Sequence, residues 1–241
     1  MPTRIARLHH SRMSRAQRAA AAAVAALWDG MSAVDQATIA RFAAEAGELV
    51  ASARGTVVSQ TDGYFASYLQ AVGVPAEPMG LDPADYTRPV EDFEVYMRPH
   101  QRVYRLRDDG VDPAAARVQG RVYAAGLAAT DVQLASRGAA HTWTSTHPSI
   151  QGYRRVPEVD ACDFCALVAT RVYQKRDLLE IHPHCRCSVA PMTRDHDPGA
   201  GMSPDEVELS DGDVTTVEHG ELGPVLWDPG HEFTGPGDIA A

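Results

Sequence analysis

The four cysteines of this 241-residue chain all lie between positions 162 and 187. Cys162 and Cys165 form a Cys-x-x-Cys pair, and Cys185 and Cys187 form a Cys-x-Cys pair that follows His182. Structural Zn²⁺ is bound by four Cys or His ligands in a tetrahedron, and closely spaced ligand pairs on two turns can supply them. The spacing therefore predicts a zinc site.

The candidate ligands outnumber the four positions of a tetrahedral site. We expect all four cysteines to bind the metal, since residues two apart on an extended segment point to the same side. His182 lies three residues before Cys185 and is the first alternative ligand, and His184 is the second. A site with so many protein ligands closes, so the zinc is expected to be structural.

Four other interpretations of the cysteines remain open. Two disulfides would require an oxidising compartment, and no positively charged leader followed by an apolar run precedes the chain. A redox-active Cys-x-x-Cys would begin a helix beside a βαβ pattern, which the sequence lacks. The thiols could be buried without a metal, or a catalytic zinc could use Glu180 or His184 as its general base.

Helix signals dominate the first 150 residues. Ser11 or Ser14 could cap the first helix, and Asp112 with Pro113 forms an N-cap followed by proline at the first helical position. Pro99 should break or kink the helix that contains it. The predicted helices are residues 11–29, 32–73 with an interruption near Asp62, 90–106 and 113 to about 136.

The cysteine-rich segment shows strand signals instead. Residues 152–156 have strand character, and residues 167–173 and 178–181 could form a short hairpin between the two cysteine pairs. The predicted fold class is mainly α. We expect a helical N-terminal body at residues 1–150, a small β-rich Cys/His zinc-knuckle module at 151–192 and a disordered acidic C-terminal tail at 193–241.

Negative charge is concentrated in that tail. The net charge of the chain is −10, and residues 193–241 hold twelve Asp or Glu against one Arg. A segment so acidic and so rich in Gly and Pro cannot bury enough apolar surface to fold alone. One apolar segment, residues 219–227, interrupts it and is typical of a short docking segment.

The two cysteine motifs resemble a known family. Residues 160–165, Asp-Ala-Cys-Asp-Phe-Cys, and residues 182–187, His-Pro-His-Cys-Arg-Cys, are similar to the C-terminal motif of Mu F-type minor head proteins of tailed bacteriophages. Residues 152–156 and 219–226 resemble versions found in phages of actinobacteria. The resemblance implies a structural minor capsid protein of phage head morphogenesis. It implies the phage portal or the major capsid protein as partners, and a location in the virion head after assembly in the host cytoplasm.

A capsid maturation protease is the first alternative function. Ser145, His147 and Ser149 lie together near His141, but no Gly-x-Ser-x-Gly elbow accompanies them. We therefore predict no enzymatic activity and name no catalytic residue.

A nucleic-acid-binding zinc module is the second alternative. Basic residues surround the cysteines and could contact phosphate without sequence specificity. They are Arg154, Arg155, Arg171, Lys175, Arg176 and Arg186.

The basic start of the chain is a further possible contact with DNA. Five arginines precede the first acidic residue and could contact phosphate without sequence specificity, or could form the solvated face of a helix. These arginines are Arg4, Arg7, Arg12, Arg15 and Arg18. No stretch approaches the roughly 20 apolar residues that cross a bilayer, so we expect no membrane partner.

Overall fold

The computed structural model describes residues 2–157, 165, 168–182, 185–199 and 215–227. It confirms a mainly α fold, in which four long helices carry small antiparallel sheets. The helices are α1 (Pro2–Asp29), α2 (Gln36–Ala71), α3 (Asp92–Asp108) and α4 (Pro113–Thr146), with a short 3-10 helix at Pro83–Tyr86. Helix α4 packs against the other three, and α1 also packs against α2.

Helix α1 begins earlier than the sequence predicts. Ser11 and Ser14 were expected as caps, but both lie inside the helix, and Ser14 is buried. Ala6, Met13 and Ala20 recur at seven-residue intervals on the buried face, so one apolar stripe supports the helix from its first turns. The arginine-rich start is the exposed face of this longer helix.

Helix α2 runs without the predicted interruption. Asp35 caps it by accepting a hydrogen bond from Thr38 N at 2.9 Å. Asp62 stays helical because partners elsewhere in the fold satisfy its buried carboxylate. It accepts hydrogen bonds from Met79 N at 2.9 Å, Gly80 N at 2.8 Å and Trp143 Nε1 at 2.8 Å.

Pro99 does not break α3. The proline lies on the same buried face as Val95, Tyr96 and Val103, and packing of this face offsets the backbone hydrogen bond that proline removes. Helix α4 starts as predicted, with Asp112 accepting from Ala114 N and Ala115 N at 3.0 Å. It ends ten residues later than predicted, because buried side chains continue to Trp143 and Thr144.

A three-stranded antiparallel sheet follows the helices in the order β2-β1-β3. Its strands are β1 (Ile150–Val156), β2 (Val172–Gln174) and β3 (Ser188–Thr193). The predicted strand at 152–156 is confirmed, but the predicted hairpin between the cysteine pairs is wrong. Residues 168 and 169 are helical, and β2 pairs with β1 rather than with residues 178–181. Gly152 permits this pairing, since a Cβ there would come within 2.6 Å of the Tyr173 carbonyl oxygen.

A second hairpin, formed by β4 (Thr215–His219) and β5 (Gly223–Trp227), contains the apolar segment of the acidic tail. It lies on the chain's own body, where Leu226 N donates to Ile181 O at 2.7 Å and Leu222 is fully buried. The predicted module boundary at residue 192 falls within β3. The three predicted domain ranges stay predictions, and residues 200–214 and 228–241 of the tail lie outside the described part of the chain.

Within the described ranges, no helix is both long and apolar enough to span a membrane.

Candidate metal centre

The second cysteine pair is placed by β3 and by the turn that precedes it. Cys187 immediately precedes β3, and Cys185 is fixed by a hydrogen bond from its N to His182 O at 3.0 Å. Cys165, Cys185, Cys187 and His182 are all buried. The three thiols belong to the same apolar cluster as the helix residues Trp28 and Leu127, so this segment packs directly on the helical body.

Cys165 contacts two of the other predicted ligands. Its Sγ lies 2.8 Å from His182 Nε2 and 3.5 Å from Cys187 Sγ. A disulfide has an S–S distance of about 2.05 Å. Cys165, Cys185 and Cys187 are free thiols, so no disulfide joins any two of these three residues.

The described residues include only part of the predicted ligand set. Cys162 and His184 lie outside the described residues. Among the residues that are described, no group of three or more His, Cys, Asp or Glu side chains is arranged to hold a metal ion. The observed contacts are therefore pairs that meet at Cys165, and a complete set of ligands stays a prediction.

The thiols influence one another's ionisation. Cys165 and Cys185 share a hydrogen bond, which is the largest cause of both pKa shifts. It raises the pKa of Cys165 and lowers the pKa of Cys185 well below its usual value. Negative charge in this cluster is thus favoured at Cys185. A thiolate is the form of cysteine that binds metal.

Two buried arginines interact with this segment, and no sequence pattern predicted that role for either. Arg155 Nη1 is 4.0 Å from Cys185 Sγ, and its guanidinium also lies 3.6 Å from Glu180 Oε2 and over the Tyr173 ring. Burial lowers the pKa of Arg155, but Cys187 and the other nearby groups outweigh burial and raise it well above its usual value. The guanidinium therefore stays charged and can offset negative charge on the sulfurs.

Arg137 of α4 is the second buried arginine. It donates to Leu179 O at 3.1 Å, to Pro224 O at 3.2 Å and to Leu222 O. Burial lowers its pKa to about 10, so it remains a cation at neutral pH. It joins the C-terminal hairpin to the segment that leads into the second cysteine pair.

The predicted protease cluster does not form a nucleophile and base pair. Ser145 Oγ donates to the helix carbonyls of His141 and Thr142 at 2.7 and 3.2 Å. His147 Nδ1 accepts from the main-chain N of Ser149 at 3.3 Å. Glu180, considered as a base for a catalytic zinc, instead forms an ion pair with Arg155 at 3.6 Å and accepts a hydrogen bond from Thr216 Oγ1 at 3.0 Å.

The predicted basic start is an exposed surface. It occupies one side of α1, opposite the face that buries Ala6, Met13 and Ala20. The side comprises Arg4, Arg7, Arg12, Arg15 and Arg18, all of which are exposed.

Comparison with known proteins places the chain in a family. A profile of the VG15 protein family matches residues 1–210. No curated protein and no solved structure gives a significant match. The profile covers most of the sequence, including the helices and both cysteine pairs. The chain therefore belongs to the VG15 protein family, a family of viral proteins, and this membership is consistent with a phage protein.

Proposed function

We propose that the chain is a structural minor capsid protein of the Mu F type, which acts in phage head morphogenesis and is held together at one end by a zinc ion. The contact of Cys165 with both His182 and Cys187 carries this proposal. Membership of the VG15 family and the likeness of both cysteine motifs to Mu F-type proteins support it.

The donor chemistry fits zinc. Thiolates bound to a tetrahedral zinc at about 2.3 Å lie roughly 3.8 Å apart, and the Cys165 and Cys187 sulfurs are 3.5 Å apart. Cys165, Cys185 and Cys187 would hold the ion together with Cys162 or His182. Bound zinc would cross-link β3 and the turn before it to the first cysteine pair.

A structural role explains the surroundings better than catalysis. The described candidate ligands are buried against the helical core, whereas a catalytic zinc keeps an open position for water. Arg155 and Glu180 are engaged with each other. Among the described residues, Glu180 is therefore not left in the role of a general base.

The helical surface offers contact points for a portal or inner capsid. Several large apolar side chains are exposed on α1, α3 and α4, and such residues are typical interface anchors. They are Leu8, Phe93, Tyr104, Val118 and Val122. A purified portal protein should therefore retain the full chain in a pull-down.

A particle experiment separates the capsid role from the protease alternative. Phage carrying Ser145→Ala, His147→Ala and Ser149→Ala together should process their capsid normally, because Ser145 and His147 bond the backbone rather than each other. Phage lacking residues 150–191 should assemble defective heads. Blocked processing in the triple variant, with the protein folded and incorporated, would favour a maturation protease.

The exposed arginine side of α1 favours one secondary function, contact with packaged DNA. Arginines on a solvent-facing helix can neutralise phosphates without reading sequence. Affinity for duplex DNA should then fall steeply with salt, and replacing Arg4, Arg7 and Arg12 by Gln should flatten that dependence. Binding that is insensitive to salt would exclude this contact.

A further inference from the structure

Leu226 of β5 contacts both of the segments that carry the described candidate ligands. Its side chain is fully buried and packs against Val168, which lies three residues after Cys165. Its main-chain N donates to Ile181 O at 2.7 Å, and Ile181 immediately precedes His182. One residue of the C-terminal hairpin therefore joins the Cys165 side of the candidate centre to the His182 side.

The hairpin also holds the backbone that leads to His182. Val225 forms a parallel β-bridge with Ile181. One residue earlier, Glu180 Oε1 accepts a hydrogen bond from Thr216 Oγ1 of β4 at 3.0 Å. Both strands of the hairpin thus restrict the segment that places this predicted ligand.

The two sides of the centre meet beneath the hairpin in a closed environment. Cys165 Sγ lies 2.8 Å from His182 Nε2, and the two residues are 5% and 7% exposed. A buried side chain meets a dissolved reagent only when the structure around it opens, and the contacts that close it set how often this happens. The docked hairpin supplies such contacts on both sides.

An apolar residue can act on a metal site only through the ligands that it positions. Partners that orient metal ligands typically change the metal affinity by about 10–100-fold when they are mutated. Leu226 offers no side-chain atom that binds a metal. Any effect of Leu226 on the centre must therefore pass through the placement of the two segments that it contacts.

We propose that the hairpin of β4 and β5 is a clasp that holds the candidate metal centre closed, with Leu226 as its positioning residue. While the hairpin is docked, Leu226 keeps the two ligand-bearing segments together. When the hairpin is undocked, the thiols become accessible and bound metal leaves faster. The statement about metal rests on the proposed function, whereas the protection of the thiols does not.

Alkylation of the thiols by iodoacetamide tests the clasp on the full chain in excess chelator. Tandem mass spectrometry of peptides gives separate rates for Cys165, Cys185 and Cys187. Leu226→Ala should raise all three rates by at least about tenfold, because it removes the contact with Val168. Val168→Ala removes the same contact from the other side and should act in the same direction.

Leu69→Ala is the matched control. Leu69 is as buried as Leu226, but it belongs to another core cluster, whose described members include no cysteine. The control should lower stability while its alkylation rates stay within about twofold of those of the wild type. Leu226→Met keeps most of the side-chain volume and should restore rates close to the wild type. Unchanged rates in Leu226→Ala, or equal acceleration by Leu69→Ala, would overturn the proposal.

Circular dichroism checks that each variant keeps its helices. If Leu226→Ala loses the helical signal of the wild type, Leu226→Val takes its place, because it removes less of the side chain. Its alkylation rates should rise by at least about threefold. Wild-type rates in a folded Leu226→Val protein would then overturn the proposal.

Release of zinc to a chromogenic chelator separates this inference from the proposed function. Zinc-loaded Leu226→Ala should release the metal at least about tenfold faster than the wild type. If both proteins hold zinc and release it equally fast, the clasp is wrong and the proposed zinc site stands. If the wild type holds no zinc, the proposed zinc site is wrong, and faster alkylation of Leu226→Ala still supports the clasp.

Discussion

At the scale of single residues, Glu221 joins the C-terminal hairpin to the helical body. Its carboxylate accepts from Arg98 at 2.9 and 2.5 Å and from Arg88 at 3.2 Å. Arg88 also pairs with the buried Asp131, which accepts from Tyr96 Oη at 2.7 Å. One glutamate of the acidic tail therefore completes a buried network that begins on α3 and α4.

Replacing Glu221 by Gln should destabilise the protein. The change removes hydrogen bonds to charged groups, which are worth about 1.5–3 kcal/mol, and leaves Arg98 without its carboxylate. Urea denaturation of the full chain measures the loss. Glu218→Gln is the control, because Glu218 lies in the same hairpin but is exposed, and it should have little effect. Equal stability of the two variants would contradict the network.

Stability should also fall in acid. The hydrogen bonds from Arg98 and Arg154 hold the pKa of Glu221 below its ordinary 4.5 and the pKa of Asp197 below its ordinary 3.8. A carboxylate with a lowered folded-state pKa stabilises the fold above its unfolded pKa, and loses that contribution as pH falls through the folded value. The free energy of unfolding should therefore decrease below about pH 4.5, and less so for Glu221→Gln.

At the scale of elements, the close approach of α1, α3 and α4 depends on Gly120. A Cβ at this position would come within 2.5 Å of Trp28 Cζ2 and of Val103 Cγ2. Trp28 is held by its Nε1 donating to Arg117 O at 3.1 Å, so the indole has little room to move. The absence of a side chain thus sets the spacing of three helices.

Two glycine substitutions test this spacing. Gly120→Ala should cost about 1–3 kcal/mol through overpacking. Gly63→Ala is the matched control in α2, because a Cβ there meets nothing within 4 Å. The control should gain about 0.5–1 kcal/mol from helix propensity. Thermal unfolding of both variants checks the prediction. A Gly120→Ala protein as stable as the wild type would contradict it.

The positions of the helices were largely predictable, but their extents were not. Local signals identified Asp112 as the N-cap of α4 and the apolar spacing of α2. The predicted helix breaks at Asp62 and Pro99 are wrong, because tertiary contacts stabilise both residues within their helices and no local pattern reveals such contacts. The pairing of β2 with β1 was missed for the same reason.

At the scale of the whole molecule, the candidate centre is part of the main core. Cys165 contacts His182 and Cys187, two of the other predicted ligands, and the binding of a metal by these residues stays a prediction. No spacing pattern predicted that Arg137 and Arg155 interact with Cys185, because each lies far from that cysteine along the chain. Charged partners brought in by tertiary packing carry no spacing pattern of their own.

The zinc content of freshly reduced, full-length protein tests the central claim most directly. Metal analysis alongside thiol titration should find about one zinc per chain in the wild type. Cys187→Ser should lower the zinc content sharply, because Cys187 contacts Cys165 inside the core. Wild-type protein with all its thiols reduced and no bound zinc would contradict the account.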